Sequence, residues 1–217
     1  IYDKPLIFYP LSILMLANIK NILMIVNPGQ IENFKSLLGD GKRFGIKIQY
    51  KIQKKPRGLA DAFILGKNFI KKDNVALILG DNFFYGQSLT DKLEKSLTHN
   101  KGARIFLKNV KKPENFGVAK IVNKRIKKIV EKPRKFISDY AITGLYFFDN
   151  EVVNYAKKLI AIAEQAGGGL DSLCIKDMSG QLTPAFALDL IPALAPPPAP
   201  LPALVPINTQ SCKFKAF

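Results

Sequence analysis

An acid and an amide close one of the most apolar stretches of the chain. In "LILGDNFFYG" (residues 77–86) the hydrophobic run stops at Gly80, Asp81 and Asn82 follow, and Gly86 lies just beyond. A carboxylate placed there can hold a metal ion or accept a sugar hydroxyl, and an amide can both donate and accept. The glycines admit backbone close to a ligand. In an open α/β sheet the carboxyl ends of the strands are where ligands bind. Gly, Asp and Asn are also the preferred residues of an ordinary strand-to-loop turn. These residues taken alone leave both readings open.

Three further stretches gather small and polar residues where strands are expected to end. In "QKKPRGLADAF", Gln53 follows a strand and Gly58 precedes a helix. An amide can read the donor and acceptor edge of a base, and a glycine allows backbone to approach it; a plain loop and helix start fit equally. In "ENFGVAKI", Gly117 could admit a sugar ring against the backbone. In "IVEKPRKFISDYAITGLYFFD", Glu131 and Lys132 stand before Pro133, a hydroxyl acceptor next to a phosphate-seeking cation. A solvated turn explains Glu-Lys-Pro as well. His99 is the only histidine and lies in a polar loop, so histidine-based nucleophilic catalysis has no support. Cys174 and Cys212 have no C-x-x-C spacing and suggest no zinc site.

The elements that must position these residues alternate along the first 160 positions. "PLSILMLANI" is apolar and reads as a helix, and "NILMIVN" as a buried strand. "QIENFKSLLGD" reads as a helix ending near Gly39. "IKIQYKI" alternates, with Ile46, Ile48, Tyr50 and Ile52 on one face. "GLADAFILGKNFI" carries an apolar stripe at helical spacing. A strand at 75–79, a helix at 88–98, strands near 103–109, 117–122 and 126–130, and the strand "YAITGLYFFD" follow. Apolar strands alternating with helices predict a largely parallel, three-layer α/β sheet, with antiparallel strands added late in the chain.

Charge and composition divide the chain. The formal net charge is +16, and 47% of residues are hydrophobic, enough for a sizeable core. Residues 1–160 carry 30 Lys+Arg against 13 Asp+Glu, whereas residues 161–217 carry 3 against 4. The lysines are spread without aromatic interleaving, so no specific nucleic-acid surface is expected, and a small polyanionic substrate accounts for them as well. After about residue 160 the sequence turns Ala- and Pro-rich, and "APPPAPLPALVP" is expected to be poorly ordered. The expected division is therefore 1–160 and 161–217. No stretch reads as a signal peptide or a membrane span. Two cysteines in a Lys-rich body favour a reducing, cytoplasmic setting.

Order and spacing add what single motifs lack. "IYDKPLIFYPLSILMLANIKNILMIV", "LLGDGKRFGIKIQYKIQ", "GLADAFILG", "LILGDNFFYG", "FGVAKI", "EKP" and "YAITGLYFFDN" resemble, in sequence order, the bacterial glucose-1-phosphate thymidylyltransferases, a family of sugar nucleotidyltransferases. The resemblance runs almost unbroken over residues 1–159. It implies a Rossmann-like three-layer core and a Mg²⁺-dependent reaction. Glucose 1-phosphate attacks the α-phosphorus of dTTP, giving dTDP-glucose and pyrophosphate, the first step toward dTDP-rhamnose. A uridylyltransferase acting on the same sugar phosphate is the nearest alternative, and a non-catalytic nucleotide or sugar-phosphate binding module is another. Homo-oligomers, as tetramers, are implied for the intact family.

By match to the family motif, Gln53 and Gly58 would bind the thymine base. Asp81 would hold Mg²⁺ beside the nucleotide, and Asn82 would face the sugar. Gly117 and Glu131 would contact glucose, Lys132 would serve its phosphate, and Ile142 and Thr143 would line the sugar site. Asp81 and Lys132 are the expected catalytic pair. Phe116 stands where the family usually has Tyr, and Lys54 and Arg57 also depart from it. The family's opening strand and "GGxGTR" loop, and its later "GELEITD" and "WLDTG" segments, have no counterpart here. The chain is thus expected to be an incomplete, inactive piece of the enzyme, with one parallel strand left unpaired.

Overall fold

A computed structural model describes residues 4–54, 58–98, 101–123, 125–165 and 214–216. The chain opens with α1 (Phe8–Leu16), β1 (Asn21–Val26), α2 (Ile31–Leu38) and β2 (Lys47–Ile52). It continues through α3 (Gly58–Leu65), α4 (Lys67–Ile70), β3 (Asn74–Ile78) and α5 (Leu89–Leu97). Then come β4 (Ala103–Asn109), β5 (Gly117–Val122), β6 (Arg125–Glu131), β7 (Tyr140–Phe148), α6 (Val152–Gln165) and β8 (Phe214–Ala216). The expected elements are present with small shifts at their ends, except that the stripe expected as one helix over 58–70 is divided at Gly66 into α3 and α4. Among the described residues no helix is long and apolar enough to cross a membrane.

The strands form one sheet in the order β2-β1-β8-β3-β7-β5-β6, with β4 also paired to β7. The first half is parallel, β1 pairing with β2 and with β8, and β8 with β3. The second half is antiparallel through β7. A Rossmann-like α/β core therefore carries an antiparallel extension. Where one parallel strand was expected to stand unpaired, β8 enters between β1 and β3 and pairs with two residues of β1 and three of β3. The residues of β8 come from the segment after residue 160; residues 166–213, with Cys174 and Cys212, lie outside the described ones, as does His99.

Sequence explains the layering. Val75 and Leu77 alternate with Ala76 along β3, so the strand is buried on both faces. Val75 and Leu77 meet Ala60 and Phe63 of α3 and Val152, Val153 and Ala156 of α6. Ala76 joins the opposite core with Leu11 and Leu14 of α1, Leu38 of α2 and Leu93 of α5. β2 lies at the edge of the sheet, where its exposed Lys47 and Lys51 discourage further pairing.

Candidate functional site

The carboxyl ends of β2 and β3 deliver Gln53 and the Gly80–Asp81–Asn82 turn. Gln53 is fixed twice. Its backbone N–H donates to the Val26 carbonyl at 2.9 Å, and its Nε2 donates to Asp61 Oδ2 at 2.8 Å. Asp61, in the first turn of α3, is only 2% exposed. A carboxylate only accepts, so the amide NH₂ must face it, and among the described residues the Gln53 carbonyl and its second N–H remain for a ligand. Gly58 opens the same helix with φ of 79°, a conformation that side chains rarely adopt. Asp61 is a site residue that sequence reasoning missed. An acid inside the apolar stripe of "GLADAFIL" was the available signal.

Asp81 and Asn82 are joined to β7. Asn82 Nδ2 donates to Asp81 Oδ1 at 2.8 Å, and Asn82 Oδ1 accepts from the Gly144 N–H at 3.1 Å. The Asn82 side chain lies so close to Gly144 that a Cβ there would stand 2.7 Å from its Cγ and Nδ2. Gly144, also unflagged in the sequence, is thus the floor on which Asn82 rests. Its strand neighbour on the same face, Ile142, reaches Gly117, where a Cβ would be 3.7 Å from Ile142 Cδ1 and 2.8 Å from Glu131 Oε2. Gly117 and Glu131 face each other in the β5–β6 register. Asp81, Asn82, Gly144, Ile142, Gly117 and Glu131 therefore form one continuous row across three strands and a turn.

Lys132 follows that row in an exposed turn. Its N–H donates to the Phe116 carbonyl at 2.9 Å, and its φ of 39° is unusual for a residue with a side chain. Such strain costs about 1–3 kcal/mol and concentrates at functional turns. Thr143 is placed differently. Its hydroxyl donates to the Phe106 carbonyl of β4 at 2.8 Å, and alternation turns it from the face of Ile142 and Gly144. Beside the turn, Tyr9 meets Phe83 edge-on at 5.0 Å and Phe83 stacks on the exposed Tyr85, an aromatic shelf unflagged in the sequence.

Two strands, β1 and β8, separate β2 from β3, so Gln53 and Asp81 sit on strands roughly 14 Å apart at ordinary strand spacing. An anchored amide thus lies toward one edge of the sheet, an acid near its middle, and the row that ends at Glu131 toward the other edge. Among the described residues no group of three metal-ligating side chains occurs. Asp81 offers a carboxylate oriented by Asn82, which suits a cation that completes its shell with ligand oxygens and water.

An α/β sheet that gathers polar residues at the ends of its parallel strands is the arrangement of nucleotide-binding α/β folds. The family model for nucleotidyl transferases matches residues 1–180, and the chain belongs to that family. It is 54% identical over 160 residues to the glucose-1-phosphate thymidylyltransferase of Neisseria meningitidis serogroup A, covering 73% of this chain and 56% of the relative. The corresponding enzyme of Xanthomonas campestris pv. campestris is 46% identical, with 73% and 54% covered. A crystal structure from Bacillus anthracis, assigned as a glucose-1-phosphate thymidylyltransferase and bound to sucrose, superposes with a TM-score of 0.68 at 36% identity, covering 74% of this chain and 65% of that one. The chain spans about half the length of the curated relatives it matches.

Proposed function

We propose that these residues form the substrate-binding part of a glucose-1-phosphate thymidylyltransferase, which joins dTTP and glucose 1-phosphate into dTDP-glucose and releases pyrophosphate. The observation that carries this reading is Gln53, held by buried Asp61 so that one carbonyl and one N–H remain for a pyrimidine edge. Thymine offers the complement, an N3–H donor flanked by carbonyl acceptors. Gly58 lets the backbone approach the ring.

The sugar end follows the same logic. Glu131 accepts hydroxyl protons across Gly117, whose missing side chain leaves room for a pyranose ring. Asn82 presents an amide from its seat on Gly144, and Ile142 supplies an apolar floor. Lys132 neutralises the sugar phosphate that attacks the α-phosphorus, and two anions brought in line need such neutralisation more than a covalent nucleophile. Asp81 would hold Mg²⁺, which when bound neutralises phosphate charge during the displacement. A single carboxylate fits this ion when substrate phosphates complete its shell.

Uracil shares the edge that Gln53 reads, so preference for dTTP over UTP must come from the C5 methyl and the missing 2′-hydroxyl. A methyl group alone is worth about tenfold or somewhat more. The test is equilibrium binding of dTTP, UTP and ATP to the chain with Mg²⁺. The expected order is dTTP above UTP and both well above ATP, with Gln53→Leu removing the advantage over ATP. Equal affinity for all three, or selectivity untouched by Gln53→Leu, would refute the assignment.

A further inference from the structure

Strands β1 and β2 carry a second polar surface, apart from the residues at their carboxyl ends. Their register sets Asn21 beside Lys47, Leu23 beside Gln49 and Ile25 beside Lys51, all on one face of the sheet. Ile48 and Tyr50, on the other face of β2, join the core with residues of α1 and α2. Across from the first face stand Leu65 at the end of α3, Asn68 and Phe69 of α4, and Lys71 just after it. Sheet and helices together border a groove of about 550 Å³, within the range of small-molecule sites. Asn21 and Lys47 open their strands, whereas Gln53 lies six residues beyond Lys47, roughly 20 Å along an extended strand. The Lys47 end of the groove is thus remote from the site built on Gln53 and Asp81.

Among the described residues, three ammonium groups and three amides line this groove and no carboxylate does. Lys51 is committed, since its Nζ donates to the Leu65 carbonyl at 2.6 Å and ties the edge strand to the end of α3. Lys47 and Lys71 are exposed, and among the described residues neither side chain forms an ion pair or a hydrogen bond. The side chains of Asn21, Gln49 and Asn68 also form none there. Asp73, the acid nearest to Lys71 in sequence, does not line the groove. A cleft lined by charge of one sign concentrates ions of the other. Repelling further strands explains lysines on edge strand β2, but Lys71 follows a helix. Its φ of 55° is rare for a residue with a side chain, a strain that gathers at functional positions. Leu23, buried in β1, and half-buried Phe69 add an apolar surface among the polar groups.

We infer that this groove is a second ligand site, which takes a small organic phosphate monoester. Lys47 and Lys71 meet the phosphate as point charges, and Leu23 and Phe69 meet the apolar body of the ligand. Asn21, Gln49 and Asn68 supply amide donors for the remaining phosphate oxygens and acceptors for hydroxyls. Six of the ten lining residues are lysine or amide, so the groove suits a solvated anion and not an apolar segment of protein. The inference does not depend on which nucleotide or sugar phosphate the site at Gln53 and Asp81 prefers.

The test uses the full 217-residue chain with phenyl phosphate as the probe. Lysines are acetylated with a limiting amount of an N-hydroxysuccinimide ester, and mass spectrometry reads the rate at each position. Lys47 and Lys71 should slow severalfold with a saturable dependence on phenyl phosphate, while exposed Lys108 and Lys127 keep their rates. Inorganic phosphate, which lacks the ring, should need about tenfold higher concentration for the same protection. Lys47→Gln, a change at an exposed position, should raise the concentration that half-protects Lys71 by about threefold. Unprotected Lys47 and Lys71, or equal protection at Lys108 and Lys127, would overturn the inference. Protection confined to Lys132 would place all binding at the sugar-phosphate end and overturn it too. So would half-protection of Lys71 that Lys47→Gln leaves unmoved, or that inorganic phosphate reaches at the same concentration.

Discussion

Gly144→Ala is the most informative single change in the site. A Cβ at this position would stand 2.7 Å from Asn82 Cγ and Nδ2 and 2.8 Å from Oδ1. Relaxed carbon contacts begin near 3.5 Å, so Asn82 must retreat by about 1 Å. Two hydrogen bonds go with it, from Gly144 N–H to Oδ1 at 3.1 Å and from Nδ2 to Asp81 Oδ1 at 2.8 Å. Each is worth about 1 kcal/mol net, and residual crowding in the buried strand adds to this. The expected loss of stability is about 2–3 kcal/mol. Asn82→Ala removes the same two bonds without crowding, at a cost of about 1–2 kcal/mol.

The double variant separates crowding from simple loss of bonds. With Asn82 truncated, the new methyl at position 144 occupies vacated space. Asn82→Ala/Gly144→Ala should therefore cost about as much as Asn82→Ala alone, a coupling of about 2 kcal/mol. Urea unfolding of the four proteins measures it, since 2 kcal/mol corresponds to a midpoint shift on the order of 1 M. Additive costs, within about 0.5 kcal/mol, would show that Asn82 does not rest on Gly144 and would break the link from Asp81 to β7.

Gly117→Ala should behave differently, because the atom in the way is the far end of the flexible Glu131 side chain, 2.8 Å from the new Cβ. Stability should change by less than about 1 kcal/mol while glucose 1-phosphate affinity falls severalfold, both readable by unfolding and calorimetric titration. Asp61→Ala should cost about 1–3 kcal/mol and reduce dTTP binding by orphaning the Gln53 amide, whereas Asp61→Asn, which keeps an acceptor, should restore part of both. Asp40 is held below its ordinary value by the Lys42 backbone N–H and then by the Lys42 ammonium. A carboxyl depressed in the folded chain stabilises above its unfolded value and loses that contribution as pH falls through the folded one. Any Tm advantage over Asp40→Asn near about pH 6 should thus shrink as the pH is lowered into the acid range and be lost once the folded carboxyl is protonated.

The parallel half of the fold was legible because its strands announce their surroundings. "NILMIV" and "VALI" are apolar at successive positions, as strands covered on both faces must be, and "KIQYKI" alternates as a half-covered edge strand does. What could not be read was pairing between distant segments. Phe214–Ala216 is three residues with a lysine at its centre, and no periodicity marks it as a strand. Its pairing with β1 and β3 is a property of the assembled sheet.

The site divides along the same line. Asp81, Gln53, Glu131 and Lys132 stand out because charged or amide groups at strand ends are conspicuous in an apolar sequence. The residues that hold them do not. Gly144 lies inside "YAITGLYFF", where a glycine reads only as a weak point in a strand, and Asp61 inside a helical stripe, where an acid reads as a polar interruption. Each acquires meaning from a partner far away in sequence, Gly144 from Asn82 and Asp61 from Gln53. A ligand-facing group can be recognised by its own chemistry, but a supporting group is defined by whom it touches. The supporting contacts also set the geometry: Asp61 turns the Gln53 amide to leave one acceptor and one donor free, and Gly144 seats the amide that bonds to Asp81. Substitutions at Asp61 and Gly144 therefore test the cleft more stringently than substitutions at the residues that would meet the ligand, because they change orientation while leaving every ligand-facing group in place.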